Sequence, residues 1–168
     1  MKNIILIGMP AVGKSTVGVV LAKRLGYEFI DVDLLIQKQE KRLLKDIIAD
    51  VGNEGFLAIE NQVNRELEVE RAIIAPGGSV VYCEEAMEHY KEIGTIIYLE
   101  IAFEEIQKRI KNAKNRGVVL AEGQSLQDIY EERCVLFEKY ADYTISENGI
   151  DLDETIDRVL ELIEKIGG

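Results

Sequence analysis

A glycine-bounded segment that ends in lysine and serine is the strongest chemical signal in the sequence. Residues 8–15 read GMPAVGKS and fit the phosphate-binding pattern GxxxxGKS. Glycines let the backbone turn tightly and direct its N–H groups at an anion, and a helix beginning there adds the positive end of its dipole. Lys14 is then expected to reach the β- and γ-phosphates of a nucleotide, and Ser15 to offer its hydroxyl to Mg²⁺.

An ordinary glycine turn is the alternative, and the flanking residues argue against it. The apolar run at residues 3–7 is typical of a buried parallel strand, and apolar residues recur with helical spacing from Val17 to Leu25. We therefore predict a strand, a phosphate loop and a helix in succession. The predicted nucleotide-binding residues of this unit are Gly8, Ala11, Val12, Gly13, Lys14, Ser15 and Thr16.

Two aspartates follow the second predicted strand, which covers residues 27–30. In an extended chain, residues two apart point the same way, so Asp31 and Asp33 are both expected to face the phosphate loop. One carboxylate is suited to hold Mg²⁺ through water, and the other to contact an acceptor hydroxyl. Asp33 is also placed to cap the helix that follows, and the two roles do not exclude each other.

A third predicted strand, at residues 72–75, leads into the segment Pro76-Gly77-Gly78-Ser79. Adjacent glycines permit a ligand to approach the backbone closely, although a Gly-Gly pair by itself is a weak signal. The phosphate loop, the aspartates and this segment all follow strands. They are therefore expected at one edge of a parallel sheet, where ligands bind in open α/β folds.

A run of cations stands out because the chain is acidic, with a net charge of −11. Five lysines and arginines lie between residues 108 and 116 with no acid among them. A solvated helix end that complements the helix dipole accounts for two or three of these cations. Because the run continues towards Gly117 and Gly123, we favour a mobile lid that brings an arginine to the nucleotide phosphates.

Composition excludes several classes of protein. At 168 residues, 47% hydrophobic and 30% charged, the chain is expected to be one globular domain. Its acidity argues against a nucleic-acid surface, and no apolar run approaches the roughly 20 residues that span a bilayer. Cys83 and Cys134 form no CxxC pair and are predicted to be free thiols of a cytoplasmic protein. The only histidine, His89, is predicted to be solvated and without a role.

Five short apolar strands separated by helices predict a doubly wound α/β sandwich with a mainly parallel sheet. A helical insert at residues 34–70 is predicted to break near Lys41 and again at residues 52–55, before a helix that begins at Phe56. The apolar stripe of that helix is predicted to comprise Phe56, Ile59, Val63 and Leu67. The single domain then consists of a core at residues 1–33, 71–110 and 126–168, the insert, and a lid at residues 111–125.

Taken together, these segments resemble the shikimate kinases, small P-loop kinases of the nucleoside-monophosphate kinase fold. The resemblance runs nearly end to end, and it rests on GMPAVGKSTVG, DVD, GFLAIE, PGGSVV, YLEI and the order of Arg109, Arg116 and Arg133. It implies a three-layer sandwich with strand order 2-3-1-4-5, ATP and Mg²⁺ as cofactors, and transfer of the γ-phosphate to a ring hydroxyl of shikimate. We also expect the protein to be a monomer.

The resemblance implies a role for each matching residue. Lys14 and Ser15 would serve the phosphates and the metal, and Asp31 would hold the metal through water. Asp33 would bind the reacting hydroxyl as the candidate base. Arg109 would pack on adenine, and Arg116 would be the lid arginine. Arg133 would bind the substrate carboxylate, although spacing alone favours a local pair with Glu132 or Glu138.

Three positions depart from the family pattern, and they concern the acceptor substrate and the lid. Leu57 stands where the family has a carboxylate-binding arginine, Ser79 replaces the third glycine of a three-glycine loop, and Gly117 follows Arg116 in place of proline. The predicted substrate-binding residues are Asp33, Leu57, Gly77, Gly78, Ser79 and Arg133. The sequence therefore predicts a kinase of shikimate or of another small hydroxylated metabolite, with a non-catalytic nucleotide-binding regulator as a third alternative.

Overall fold

The architecture is an α/β sandwich around a five-stranded parallel sheet, in a computed structural model that describes residues 2–112 and 124–167. The sheet order is β2-β3-β1-β4-β5, which confirms the predicted order. Each of the four strand pairings is parallel, so the sheet is more regular than the mainly parallel sheet that we predicted. The strands are β1 (Asn3–Ile7), β2 (Glu28–Asp31), β3 (Ala72–Ala75), β4 (Gly94–Glu100) and β5 (Tyr143–Ser146).

Strands β1 and β3 are buried along their whole length, because helices cover both faces of a parallel sheet. The helices are α1 (Lys14–Leu25), α2 (Val32–Glu40), α3 (Leu44–Arg65), α4 (Glu84–Ile93), α5 (Phe103–Asn112), α6 (Leu126–Tyr140) and α7 (Leu152–Gly167). A short 3₁₀ turn covers Val80–Tyr82. No helix in these described ranges is long and apolar enough to cross a membrane.

The insert breaks where it was predicted to break, near Lys41 and at Gly52, and differs from the prediction in where its last helix ends, at Arg65 rather than near residue 70. α2 ends at Glu40 with Lys41 in a left-handed conformation, and one helix, α3, then runs from Leu44 to Arg65. The predicted break at residues 52–55 is a kink at Gly52, whose φ of 74° and ψ of 177° are not helical. The residues before and after Gly52 are helical and Gly52 separates them, so the predicted interruption is present at this position.

The buried face of α3 also differs from the predicted apolar stripe. Phe56, Glu60 and Val63 are buried, whereas Ile59 is only partly buried. Glu60 lies four residues after Phe56 and three before Val63, which is regular helical spacing, so a stripe drawn through apolar residues alone missed an acidic residue on the inner face. As a result α3 presents a carboxylate to the interior.

His89 is not the solvated side chain that we predicted. It is half-buried, and its Nε2 lies 2.7 Å from the backbone oxygen of Leu67. This contact joins α4 to the segment that follows α3, so the histidine has a structural role. Cys83 and Cys134 are both free thiols, as predicted.

Candidate active site

The phosphate loop turns from β1 into α1 through residues with unusual backbone angles. Gly13, the N-cap of α1, has a φ of 93°, and Ala11 has a φ of 67°, both in the left-handed region that favours glycine. Lys14 is buried and donates hydrogen bonds from Nζ to the backbone oxygens of Gly8 (2.8 Å) and Met9 (2.9 Å). These bonds hold a cation against the loop at the positive end of α1, which suits the binding of phosphate groups.

Ser15 and Asp31 lie next to each other at the start of α1 and the end of β2. Ser15 Oγ donates to Asp31 Oδ2 over 3.1 Å, while Asp31 Oδ1 accepts from the backbone N–H of Leu34 over 3.2 Å. A hydroxyl and a carboxylate are oxygen ligands of the kind that Mg²⁺ prefers. The described residues contain no cluster of three or more histidines, cysteines and acids suited to a metal. A pair of protein ligands therefore fits Mg²⁺, which usually takes its other ligands from water and phosphates.

The two aspartates are not arranged as a pair on an extended strand. β2 ends at Asp31, whose side chain caps α2, and Asp33 lies in the first turn of that helix. The cap is thus Asp31, and the alternative in which Asp33 caps the helix is wrong. Helix geometry replaces strand alternation here, but both carboxylates still line the same cavity.

That cavity has a volume of about 460 Å³ and lies at the carboxyl ends of β1, β2 and β3. It brings together most of the residues predicted from the sequence, from the phosphate loop on one side and from the acceptor segments on the other. Predicted site residues in its lining are Ala11, Gly13, Lys14, Ser15, Thr16, Asp31, Asp33, Gly77, Gly78, Ser79 and Arg133. The convergence that the strand ends predicted is therefore present as one continuous space.

The two glycines after β3 lie close against charged side chains. A Cβ atom on Gly77 would lie 2.8 Å from Asp33 Oδ1 and 2.9 Å from Glu60 Oε2, closer than real Cβ atoms approach such atoms. A Cβ atom on Gly78 would lie 3.1 Å from Arg133 Nη1. The absence of side chains at both positions thus lets two carboxylates and a guanidinium border the same stretch of backbone.

Glu60 is a buried carboxyl group that we did not predict in the site. Its Oε1 accepts a hydrogen bond from Ser79 Oγ over 2.6 Å, and its Oε2 has no hydrogen-bond partner in the described part of the chain. Burial raises the pKa of Glu60 to about 7, against the opposing effect of the Ser79 hydrogen bond. Ser79 therefore turns its hydroxyl towards Glu60, where the sequence suggested only an added side chain beside the substrate.

Arg133 is buried on the inner face of α6. It is 1% exposed, and its guanidinium carbon lies 5.4 Å from the centre of the Tyr82 ring. Glu132 and Glu138 are both exposed, whereas Arg133 is turned to the interior of the protein. Arg133 lines the cavity, and its binding of a substrate carboxylate stays a prediction.

Arg109, on α5, packs on the outer side of the phosphate loop. Its Nη1 donates to the backbone oxygens of Ala11 (3.2 Å) and Val12 (3.4 Å), and it lies 3.7 Å from Glu147 Oε1. Burial raises the pKa of Glu147 to about 7, with Arg109 acting in the opposite direction. The arginine is thus held beside the loop by carbonyl groups and by a carboxylate that follows β5.

Several predicted residues lie away from the cavity. Val12 is fully buried in the core, and Gly8 takes part through its backbone oxygen. Leu57 lies in a separate small cavity beside Tyr82 and Cys83. Arg116 and most of the predicted lid lie outside the described residues.

Three charged residues of this region were missed in the sequence. Glu60 had a detectable signal, since an acid four residues after Phe56 and three before Val63 falls on the buried side of a helix. Lys45 lines the cavity from the first turn of α3, and Glu147 packs beside Arg109. No local motif marks Lys45 or Glu147, because their positions depend on how α3 and β5 meet the phosphate loop.

Comparison with known proteins gives one consistent family. The family model described as shikimate kinase matches residues 10–164. A shikimate kinase from Alkaliphilus oremlandii is 37% identical over 92% of this chain and 95% of its own length. One from Thermodesulfovibrio yellowstonii is 32% identical over 99% of this chain and 97% of its own length.

A solved structure agrees in fold as well as in sequence. The shikimate kinase from Acinetobacter baumannii in complex with shikimate has a TM-score of 0.90 and 32% identity. The match covers 98% of this chain and 94% of that one. The similarity therefore extends over the phosphate loop, the insert and the strands that carry the site.

Proposed function

The chain belongs to the shikimate kinase family, and on that premise we propose that it transfers the γ-phosphate of ATP to shikimate, giving shikimate 3-phosphate. One observation carries the proposal. A single cavity is lined by Lys14 and Ser15 of the phosphate loop and by Asp33 and Arg133 on the acceptor side. A phosphoryl donor and a hydroxylated acid can thus be held within reach of each other, as phosphoryl transfer requires.

The chain's own residues supply charge, orientation and a proton acceptor. Lys14 neutralises phosphate oxygens, and Ser15 and Asp31 are the residues that would hold Mg²⁺. When bound, Mg²⁺ neutralises the negative charge that develops on the phosphates. Asp33 orients the acceptor hydroxyl and takes its proton as the oxygen forms a bond to the γ-phosphorus and the bond to the leaving ADP oxygen breaks.

Two further arginines complete the proposed donor site. Arg109 lies beside the phosphate loop and donates hydrogen bonds to the backbone oxygens of Ala11 and Val12. From this position its guanidinium can pack on the adenine ring. Arg116 is proposed to bring a positive charge to the transferring phosphoryl group from the lid. Such a cation acts where charge develops in the transition state, so its removal should lower kcat more than it weakens ATP binding.

A kinase of another small polyol or hydroxy acid is the second candidate. Leu57 favours it, because a leucine cannot bind a carboxylate as an arginine does, and its side chain lies outside the cavity. A regulator that only binds nucleotide is disfavoured, since Lys14, Asp33 and Arg133 line one cavity. We propose a cytoplasmic monomer without a nucleic-acid partner, consistent with its net charge of −11.

The test is ADP release from Mg-ATP by the purified protein, measured with shikimate and with a panel of polyols and hydroxy acids. We expect saturable turnover with shikimate, and its loss in Lys14→Ala, because that variant lacks the cation at the phosphates. Turnover only with another alcohol would contradict shikimate as the acceptor. Nucleotide binding without any acceptor-dependent turnover would contradict the kinase assignment.

A further inference from the structure

Lys45 is a cation of the cavity that the sequence motifs do not explain. It is exposed and lies in the first turn of α3, where it lines the same space as Asp33, Glu60 and Arg133. The start of α3 is fixed, because Gln37 Oε1 accepts a hydrogen bond from the backbone N–H of Leu44 over 3.0 Å. The backbone of α3 therefore holds Lys45 at the rim of the cavity, with its side chain exposed.

A second cation on the acceptor side of the cavity would help to balance the negative charges of the carboxyl groups and of an acidic acceptor. Of the described residues that line the cavity, three are cations, namely Lys14, Lys45 and Arg133. Lys14 is bound to the phosphate loop, which leaves Arg133 and Lys45 to face an acceptor that carries a carboxylate. Asp33 and Glu60 border the same space, and Arg133 acts on Glu60, so the charge of Arg133 is shared between the cavity's own carboxyl groups and the acceptor.

Leu57 is uncharged, and its side chain does not line the cavity that holds Arg133. The leucine side chain lines the separate cavity next to Tyr82 and Cys83. Lys45 lies on the same helix, three turns earlier and before the kink at Gly52. α3 thus carries no cation at position 57 and carries one in its first turn, where it lines the cavity.

We propose that Lys45 binds the carboxylate of the acceptor together with Arg133 and makes this protein selective for acidic acceptors. This assignment rests on the proposed function. Arg133 is buried and preorganised, so it fixes the orientation of the carboxylate. Lys45, an exposed point charge on a flexible stem, closes over the carboxylate from the rim. Lys45 contributes to binding of the acceptor and takes no part in the phosphoryl-transfer step.

The experiment compares Lys45→Ala with wild-type protein on shikimate and on its neutral methyl ester. We expect the KM for shikimate to rise about tenfold, which corresponds to the lower end of the free energy of a hydrogen bond to a charged group. The kcat and the KM for ATP should stay unchanged, and the KM for the ester should not respond. Lys45→Arg should restore most of the affinity for shikimate, because it restores the charge.

Lys38→Ala is the matched control, since Lys38 is an exposed lysine of the neighbouring helix α2 that does not line the cavity. It should leave both acceptors unaffected. Equal KM values for shikimate in wild-type protein and Lys45→Ala would overturn the role of Lys45 alone. Wild-type protein that binds Mg-ATP but neither binds nor phosphorylates shikimate would overturn the proposed function and this assignment together.

Discussion

Asp33 is the side chain on which the proposed proton transfer depends. It lines the cavity from the first turn of α2, next to Gly77 and facing the same space as Lys14. Asp33→Asn keeps the size of the side chain but removes the proton acceptor. We expect kcat to fall by roughly 10²–10⁴, the usual contribution of general-base catalysis, with little change in the KM for ATP. Steady-state kinetics with both substrates measures this.

A result in which Asp33→Asn kept kcat but raised only the KM for the acceptor would contradict a role in proton transfer. It would leave Asp33 as a binding residue. Asp31→Asn is the natural comparison, because Asp31 caps α2 and hydrogen-bonds to Ser15. Its main effect should be on the Mg²⁺ concentration required for activity.

Residues whose chemistry is encoded in a short motif were predictable from the sequence. Lys14 and Ser15 follow from the spacing of the phosphate loop, and both line the cavity. Glu60 and Lys45 could not be placed in the same way. Glu60 had only the signal of its helical spacing from Phe56 and Val63, and the position of Lys45 depends on how the start of α3 meets the phosphate loop.

At the scale of elements, the loop after β3 sets the distance between the two halves of the site. Gly77 allows Asp33 and Glu60 to approach its backbone, and a Cβ atom there would lie within 2.9 Å of both carboxylates. Gly77→Ala should therefore displace these side chains and lower kcat/KM for the acceptor by about tenfold or more, as misplacement of reacting groups does. ADP-release kinetics measures the change.

Gly167→Ala is the control for this substitution, because a Cβ atom on Gly167 would have no atom within 4 Å. It should leave activity and stability unchanged. Full activity in a folded Gly77→Ala variant would show that the close approach at the β3 loop is not needed for catalysis.

The strands were predicted more accurately than the helices of the insert. Short apolar runs such as β1 and β3 are buried on both faces, so their sequence alone specifies them. The insert has weaker signals, because its helix ends depend on Lys41 and Gly52 adopting left-handed or irregular angles. The breaks near Lys41 and Gly52 were predicted, but the end of α3 at Arg65 was placed about five residues too late.

At the scale of the whole molecule, two buried carboxyl groups couple stability to pH. Burial raises the pKa of Glu60 and of Glu147 to about 7 from an ordinary value of 4.5. Between these values the folded protein keeps protons that the unfolded chain has lost. The stabilising contribution of each group is therefore full below about pH 4.5 and is lost as the pH rises to about 7.

We expect the free energy of unfolding of wild-type protein, relative to Glu147→Gln, to fall by up to about 3 kcal/mol between pH 4.5 and pH 8. Urea unfolding at a series of pH values measures the difference. Glu88→Gln, which alters an exposed glutamate of α4, should show no such trend. A difference between wild type and Glu147→Gln that is independent of pH would contradict the raised pKa.

On our account, one cavity holds ATP and shikimate together while the γ-phosphate of ATP is transferred to a hydroxyl of shikimate. The most direct measurement is ³¹P and ¹H NMR of a mixture of the protein, Mg-ATP and shikimate, with Lys14→Ala as the control. We predict a new phosphate ester whose phosphorus couples to the proton at carbon 3 of shikimate, and no such signal with the variant. Unchanged shikimate in the presence of folded, nucleotide-binding protein would contradict the claim.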